Sequence, residues 1–377
     1  MKIHSIYVAG GIAALLLFGA CTKQLKDDPT DPSVTAKDKL VANGIAGPDP
    51  DGVKLHDFLR ANGPQYETYT VNLSQENASF TTRNGRKYTL SPNSLIRPDG
   101  SPAVGSITVT VKEISNAAAM IFADKPTATS TGAPLESFGE FFVAAKQGTA
   151  PLRLRKDSAV AVQVPAPKGA NDRKIPMWYG DTSITITQSG FTYINQPITL
   201  STTVSANKGM DWDPVTNPAS AYALFDGTNG TLNFRLDSLI KWTNCDRLMS
   251  LPNPKTTVLA YFNSNYNPAT SQSFVGEEPT MLYFKPTGIN SIIKFYNTIL
   301  TPPAGFEGFL SYQNAIPVGQ SGTFLAISSI GGQFYAEQKT VTIGAPAAGT
   351  NYTTVTFNPA PVSAATLVAL INSMNTK

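Results

Sequence analysis

The sequence predicts a mainly β protein: two β-sandwich domains and a short C-terminal helix, preceded by a leader and a flexible tether. Three observations predict it. Short runs alternate apolar with polar residues, as Ile107, Val109 and Val111 do with Thr108, Thr110 and Lys112, so that one side of each strand is buried and the other wet. Clusters rich in Gly and Pro separate those runs at the spacing of a sandwich, as in Arg97-Pro98-Asp99-Gly100 and Pro165-Ala166-Pro167-Lys168-Gly169. Charged residues make up only 15% of the chain, which with abundant Thr, Ser, Asn, Gly and Pro is the composition of an extracellular β protein.

The first element, residues 1–20, reads as an export signal. Lys2 is its positive end, the thirteen residues Ile6 to Phe18 are apolar, and no acidic residue precedes Asp27. The run is too short for a spanning helix, which needs about 20 apolar residues. It closes on Gly19-Ala20-Cys21, the small-small-Cys ending of a bacterial lipoprotein precursor. Phe18 stands third before the cysteine, where Leu is commonest, and Leu17 lies one place too early. On this reading Cys21 is the lipidated N-terminus. Two acyl chains of roughly fifteen methylenes at about 0.8 kcal/mol each give an upper bound of ~24 kcal/mol of membrane attachment.

Residues 21–62 then read as the lipidated N-terminus and tether, rich in Asp, Pro, Lys and Gly without hydrophobic period up to residue 50. Within it, Gly52 to Ala61 places Val53, Leu55, Phe58 and Leu59 at mixed spacing, compatible with one or two helical turns or a strand. Lys26-Asp27-Asp28 resembles the surface-export signal of Bacteroidota lipoproteins, which implies display on the outer membrane. With Lys2 the only charged residue before Cys21, the remaining chain carries 28 basic and 26 acidic side chains. A net charge of +2 implies neither nucleic acid nor an acidic surface as partner. With Cys21 lipidated, Cys245 is the sole thiol, so stability must come from packing.

Residues 63–210 predict the first sandwich. Phe80-Thr81-Thr82-Arg83 and Arg86 to Leu90 flank Asn84-Gly85, the signature of a type I′ hairpin. Further strands are predicted at Phe141 to Ala145, Val160 to Val164, Ile175 to Tyr179, Ile184 to Ile186 and Ile198 to Val204. The stretch Ala78 to Gly148, with Gly85-Arg86-Lys87-Tyr88-Thr89-Leu90-Ser91-Pro92, Val109-Thr110-Val111-Lys112-Glu113 and Leu135-Glu136-Ser137-Phe138-Gly139-Glu140, resembles a sandwich module of uncharacterised Bacteroidota surface proteins. It is more distantly similar to ZU5 domains. The resemblance covers about a fifth of the chain, carries no catalytic motif and implies a fold and a habitat. Glu113 and Glu136 are read as solvated charges at strand ends.

Asp211-Trp212-Asp213-Pro214-Val215-Thr216-Asn217-Pro218 interrupts the strand pattern and predicts a boundary, with a second Ig-like sandwich over 221–377. Its strands are expected at Val258 to Phe262, Met281 to Phe284, Ile292 to Tyr296, Phe309 to Tyr312, Thr323 to Ser328, Lys339 to Ile343 and Thr353 to Phe357. Ser363 can cap a last helix whose Leu367, Leu370, Ile371 and Met374 form one stripe. Lys241-Trp242-Thr243-Asn244-Cys245-Asp246-Arg247 resembles a recurrent segment of the same surface proteins. A nucleophilic Cys needs a base, and past Cys21 the chain offers only His56; Trp242 and Cys245 are therefore expected in the core.

Chemistry is sparse. The chain has no His-Glu-x-x-His, Cys-x-x-Cys, Gly-x-Ser-x-Gly or Walker loop, and the ligands of a zinc site are lacking. Ser205-x-x-Lys208 and Ser291-x-x-Lys294 match an acyl-serine pattern without its companion motifs. Asp49-Pro50-Asp51-Gly52 and Asp211-Trp212-Asp213 complete no calcium loop and read as turns; no metal or cofactor is predicted. One segment suits a ligand: Tyr261, Asn263, Tyr266 and Asn267, with Phe262, Asn265, Gln272 and Phe274, mix aromatic faces with amides as sugar stacking requires. The expectation is a non-catalytic, membrane-anchored surface lipoprotein that binds a protein partner or organises the envelope. The alternative is a carbohydrate-binding lipoprotein of an outer-membrane nutrient importer. A glycosidase would require two facing carboxylates, and the sequence places no such pair.

Overall fold

A computed structural model describes residues 49–74, 76–166, 174–181, 210–268, 278–297 and 308–377, with short strand segments between 185 and 205. Cys21 and the leader lie outside the described residues, as do Gln272 and Phe274. The protein is mainly β, and the described residues include three short α-helices, the last near the C-terminal end.

The largest sheet has twelve strands. Its main path runs 67–73, 105–114, 135–147, 243–248, 174–181, 222–226, 231–236, 160–165, 87–90 and 78–81. The ends of that path come together, since Tyr69 and Phe80 stack with ring centroids 4.5 Å apart. Between them lies one core, drawing Val109, Val111 and Phe141 from one half and Tyr88, Leu90, Val162 and Phe234 from the other. The predicted boundary at 211–218 is therefore internal to this sheet. Asp211–Pro214 pairs with Lys174–Asp181, and the strands Thr231–Leu236 and Thr243–Leu248 pair with Val160–Pro165 and Leu135–Gln147. The sequence pattern breaks at those prolines because the chain turns there, while the strands beyond them still complete the first core.

Beyond Leu248 the chain builds two five-stranded sheets. In one, Lys255–Phe262 pairs parallel with Tyr352–Phe357 and antiparallel with Gly308–Leu310. In the other, Thr280–Pro286, Ser321–Ile330 and Gln333–Thr342 form an antiparallel run flanked by Ile293–Lys294 and Ala360–Val362. Alternation along the second sheet explains its near-continuous apolar strands. Leu282, Phe284, Phe324 and Ala326 face the core shared with the first sheet, where Val258, Phe262, Phe309 and Phe357 meet them. Met281, Tyr283, Leu325 and Ile327 face the opposite way, toward helices.

That other face forms a middle layer, which the sequence does not announce. Its helices are Pro50–Asn62, Ala117–Ala123 and Ala364–Ser373. Leu55, Leu59, Ile121, Leu367 and Ile371 pack there with Phe142, Trp178 and Trp242 from the large sheet. The segment 50–62, assigned to the tether, is a helix because Asp49 accepts bonds from the Asp51 and Gly52 amides, Pro50 opens the first turn, and Leu55 and Leu59 are one turn apart on its buried side. Asp51 then accepts from the Gly331 and Gly332 amides and the Ser329 hydroxyl, tying the helix to the hairpin at 330–333.

Two local expectations change. The strands Ala78–Thr81 and Lys87–Leu90 form a hairpin as predicted, but only Gly85 (φ 75°) takes positive φ at its tip. The Gly85 amide bonds the Thr82 carbonyl, a turn followed by a left-handed glycine rather than type I′. On Gly105–Ile114, Ile107, Val109 and Val111 are buried as the alternation requires, yet Thr110 and Lys112 are buried as well. The strand is interior to the sheet, and the Lys112 ammonium lies over the Tyr66 ring at 5.0 Å.

Candidate functional site

The predicted ligand segment ends the strand Lys255–Phe262 and continues into the following turn. It does not present a row of rings. Tyr261 is buried, and Tyr266 packs on Phe262 and Phe309 with centroids 5.1 and 5.9 Å away. Asn265, at φ 54°, gives its amide to the Pro359 carbonyl. The Asn267 side chain donates to the Ser329 carbonyl at 2.8 Å and to Asp51 at 3.3 Å, and its backbone exchanges bonds with the Thr280 hydroxyl. Only Asn263 is exposed, its backbone amide held by the Phe357 carbonyl. The aromatic-amide mixture serves to close a strand end: Phe262 joins the sandwich core with Tyr266 packed against it, Tyr261 is buried on the other side of its strand, and the amides satisfy carbonyls that strand pairing leaves over.

The chemistry that the structure does gather is buried. Glu113, read as a solvated strand end, accepts from four groups: Thr82 Oγ1 at 3.2 Å to each oxygen, Asn84 Nδ2 at 2.8 Å, Arg86 Nη1 at 3.0 Å and Tyr88 Oη at 2.8 Å. The hairpin supplies every donor, Thr82 and Asn84 from its turn and Arg86 and Tyr88 from its returning arm, where the latter two lie two residues apart and point the same way. Glu136 pairs with the partly exposed Arg247 at 2.7 Å. Sequence reasoning missed the Glu113 hub; the alternation of Arg86 and Tyr88 with exposed Lys87 was the available signal.

A second cluster sits where Leu135–Gln147 pairs with Thr243–Leu248. The register slips between Asn244 and Asp246, opposite a bulge containing Gly139 at φ 139°. Ser137 Oγ bonds Asn244 Oδ1 at 3.0 Å, and Asn244 Nδ2 bonds Asp246 Oδ2 at 2.5 Å. Glu140 and Asp246 are wholly buried. Burial, then the Asp246 charge, pushes the Glu140 carboxyl well above the usual range, and burial pushes Asp246 up too. Both carboxyls are thus held above the ordinary range, and neither faces a cleft. Cys245, between them in sequence, points into the core of the large sheet, and burial pushes its thiol far up. That leaves it a small hydrophobe rather than a nucleophile.

The third cluster joins the two halves. Asp124 ends the helix Ala117–Ala123 in a left-handed conformation (φ 50°), and its carboxylate meets the strand pair at Tyr283 and Lys294. Lys294 Nζ is 2.9 Å from Asp124 Oδ2 and 3.1 Å from Glu278 Oε2, while Tyr283 Oη donates to Asp124 Oδ1 at 2.9 Å. The lysine side chain is completely buried. Burial alone would lower its pKa, but the two carboxylates outweigh that and hold it raised. Burial pushes Glu278 up to about 7 against the pull of Lys294, whereas Lys294 and His56 overcome burial to hold Asp124 low. Ser291, of the acyl-serine pattern, bonds Thr127 Oγ1 at 2.9 Å, so Lys294 serves the acids and not that hydroxyl.

The acidic motifs expected as turns lie instead at the start of a helix, Pro50–Asn62, and in a strand, Asp211–Pro214. Asp49 caps a helix, Asp51 anchors a hairpin, Asp211 accepts the Tyr312 hydroxyl at 2.9 Å and Asp213 accepts that of Ser130. Among the described residues, no group of three His, Cys, Asp or Glu could hold a metal ion, and no helix is long and apolar enough to cross a membrane. Compared with family models, curated proteins and solved structures, the chain matches none.

Proposed function

We propose that this chain is a lipid-anchored protein of the outer membrane, displayed at the cell surface, with a non-catalytic binding or structural role in the envelope. The observation that carries the reading is the apolar run ending in Gly19-Ala20-Cys21, followed at once by charged and turn-rich sequence. The fold is compatible with that role. Its ionisable clusters at Glu113, Glu140 and Lys294 are enclosed within the packing of a β scaffold rather than arranged around an open cleft, and residues 22–50 have a sequence suited to a tether. Carbohydrate binding draws less support, because the Tyr261 ring is buried and the Tyr266 ring packs on Phe262 and Phe309.

The test is fractionation of cells producing the wild type and Cys21→Ala. The wild type is expected in the outer-membrane fraction and to be removed from intact cells by added protease; Cys21→Ala is expected to leave the membrane pellet. Equal partition of the two proteins would overturn the anchor.

A further inference from the structure

The cluster around Lys294 combines four features that a merely structural ion pair does not need. The amine is completely buried. It touches two carboxyl groups from separate segments, Asp124 Oδ2 at 2.9 Å and Glu278 Oε2 at 3.1 Å. The other oxygen of Asp124 is fixed by the Tyr283 hydroxyl at 2.9 Å. The cluster lies at the middle layer of the core, to which Ile121, Ile292, Leu325 and Tyr283 belong, with His56 and Lys125 near enough to act on Asp124. An amine and a carboxyl held in contact, away from water and beside a second acid, are the reactants and proton carrier of an amide condensation.

We propose that Lys294 and Asp124 join in an intramolecular amide bond, with Glu278 moving the protons. Glu278 takes a proton from the Lys294 ammonium, and the free amine attacks Cγ of Asp124. The Nζ–Cγ bond forms, and the developing charge falls on Oδ1, which the Tyr283 hydroxyl already faces. Glu278 returns the proton to Oδ2 and relays a second one from the nitrogen. The Cγ–Oδ2 bond then breaks, and that oxygen leaves as water. An ammonium and a carboxylate become one amide and one water, with no oxidant, reductant or activated intermediate required. In dilute solution this condensation is slow and unfavourable. Holding the partners in place supplies an effective molarity on the order of 10⁵ M or more, and expulsion of water into the solvent removes a product. Glu278, pushed up to about 7 by burial, can give or take a proton near neutral pH, as a carrier must; the neutral amine forms against the raised pKa of Lys294 and the low one of Asp124, a cost that the enforced contact has to offset. Tyr283 and Glu278 act on the reacting atoms, so each is a catalytic residue in this sense.

The bond would close a loop of 170 residues and fasten the helix Ala117–Ala123, which leads from the large sheet, to the sandwich beyond it. A chain without an intramolecular disulfide would thereby gain a covalent staple across its middle layer. The proposal does not depend on the lipid anchor or on display at the surface.

Mass spectrometry of the purified full-length protein tests it. The wild type is expected to be lighter than its sequence requires by one water, and a protease digest is expected to contain a branched peptide joining the segments around Asp124 and Lys294. Glu278→Gln is expected to keep the full mass and yield the two peptides separately, with its circular dichroism showing that it still folds; Lys294→Arg should behave likewise. A folded wild type with full mass and two separate peptides overturns the proposal. So does a missing water that maps to any other pair of residues, or a Glu278→Gln protein cross-linked as completely as the wild type.

Discussion

Glu113 shows how a single carboxylate organises the large sheet. Buried charge is costly unless answered, and here Arg86, Tyr88, Asn84 and Thr82 all answer it. Glu113→Ala leaves the Arg86 guanidinium buried against Phe141 without its carboxylate. We expect a loss of about 3–5 kcal/mol in urea unfolding, whereas the exposed Lys87→Ala should change stability by less than about 0.5 kcal/mol. Glu140 makes the opposite case. Its folded pKa lies well above the ordinary 4.5, through burial and then Asp246, so the native state holds a proton that the unfolded chain releases as pH rises. Its contribution is complete below the ordinary value and is lost with rising pH above it. Glu140→Gln, which stays neutral, should therefore make the decline in unfolding free energy as pH rises above the ordinary glutamate value shallower. An unchanged slope would show that Glu140 does not hold its proton. Neither burial was legible in the sequence, because a glutamate at the end of an alternating strand looks the same whether solvent or another strand lies beyond it.

At the scale of elements, caps and stripes decide. Ser363 accepts from the Thr366 amide at 3.1 Å, and Leu367, Ile371 and Met374 are completely buried. Ser363→Ala should cost about 1 kcal/mol and Leu367→Ala about 2–5 kcal/mol, both read from thermal or urea unfolding. Close strand approach sets a different limit at Gly308, where an added Cβ would lie 1.8 Å from the Ala260 carbonyl oxygen. No flexible side chain can yield there, so Gly308→Ala should break the pairing of Gly308–Leu310 with Lys255–Phe262 and appear as lost amide protection along both strands. The C-terminal helix was legible because its cap and its one-sided stripe both lie in local sequence. So were the strands from Lys255 to Phe357, whose runs of β-branched and aromatic residues are bounded by turns. The helix at 50–62 was not: its apolar positions are few, and its burial depends on Phe334 and Ile121 from segments far along the chain.

At the scale of the molecule, the organisation is two β bodies sharing a helical middle layer. The apparent boundary at 211–218 misled because turn chemistry is local while sheet membership is not. Strands 222–248 return to the large sheet, with Thr243–Leu248 inserted between Leu135–Gln147 and Lys174–Asp181. A fragment spanning 63–210 should therefore fail to show a cooperative unfolding transition by circular dichroism; one that unfolds cooperatively would restore the boundary. The same middle layer receives the helix Pro50–Asn62, the first element of the described residues. The measurement that tests the account most directly is the mass of the mature N-terminal peptide recovered from membranes. A peptide beginning at Cys21 and carrying a diacylglycerol on its sulfur is the predicted result. A mature protein with an unmodified thiol at position 21 would contradict it.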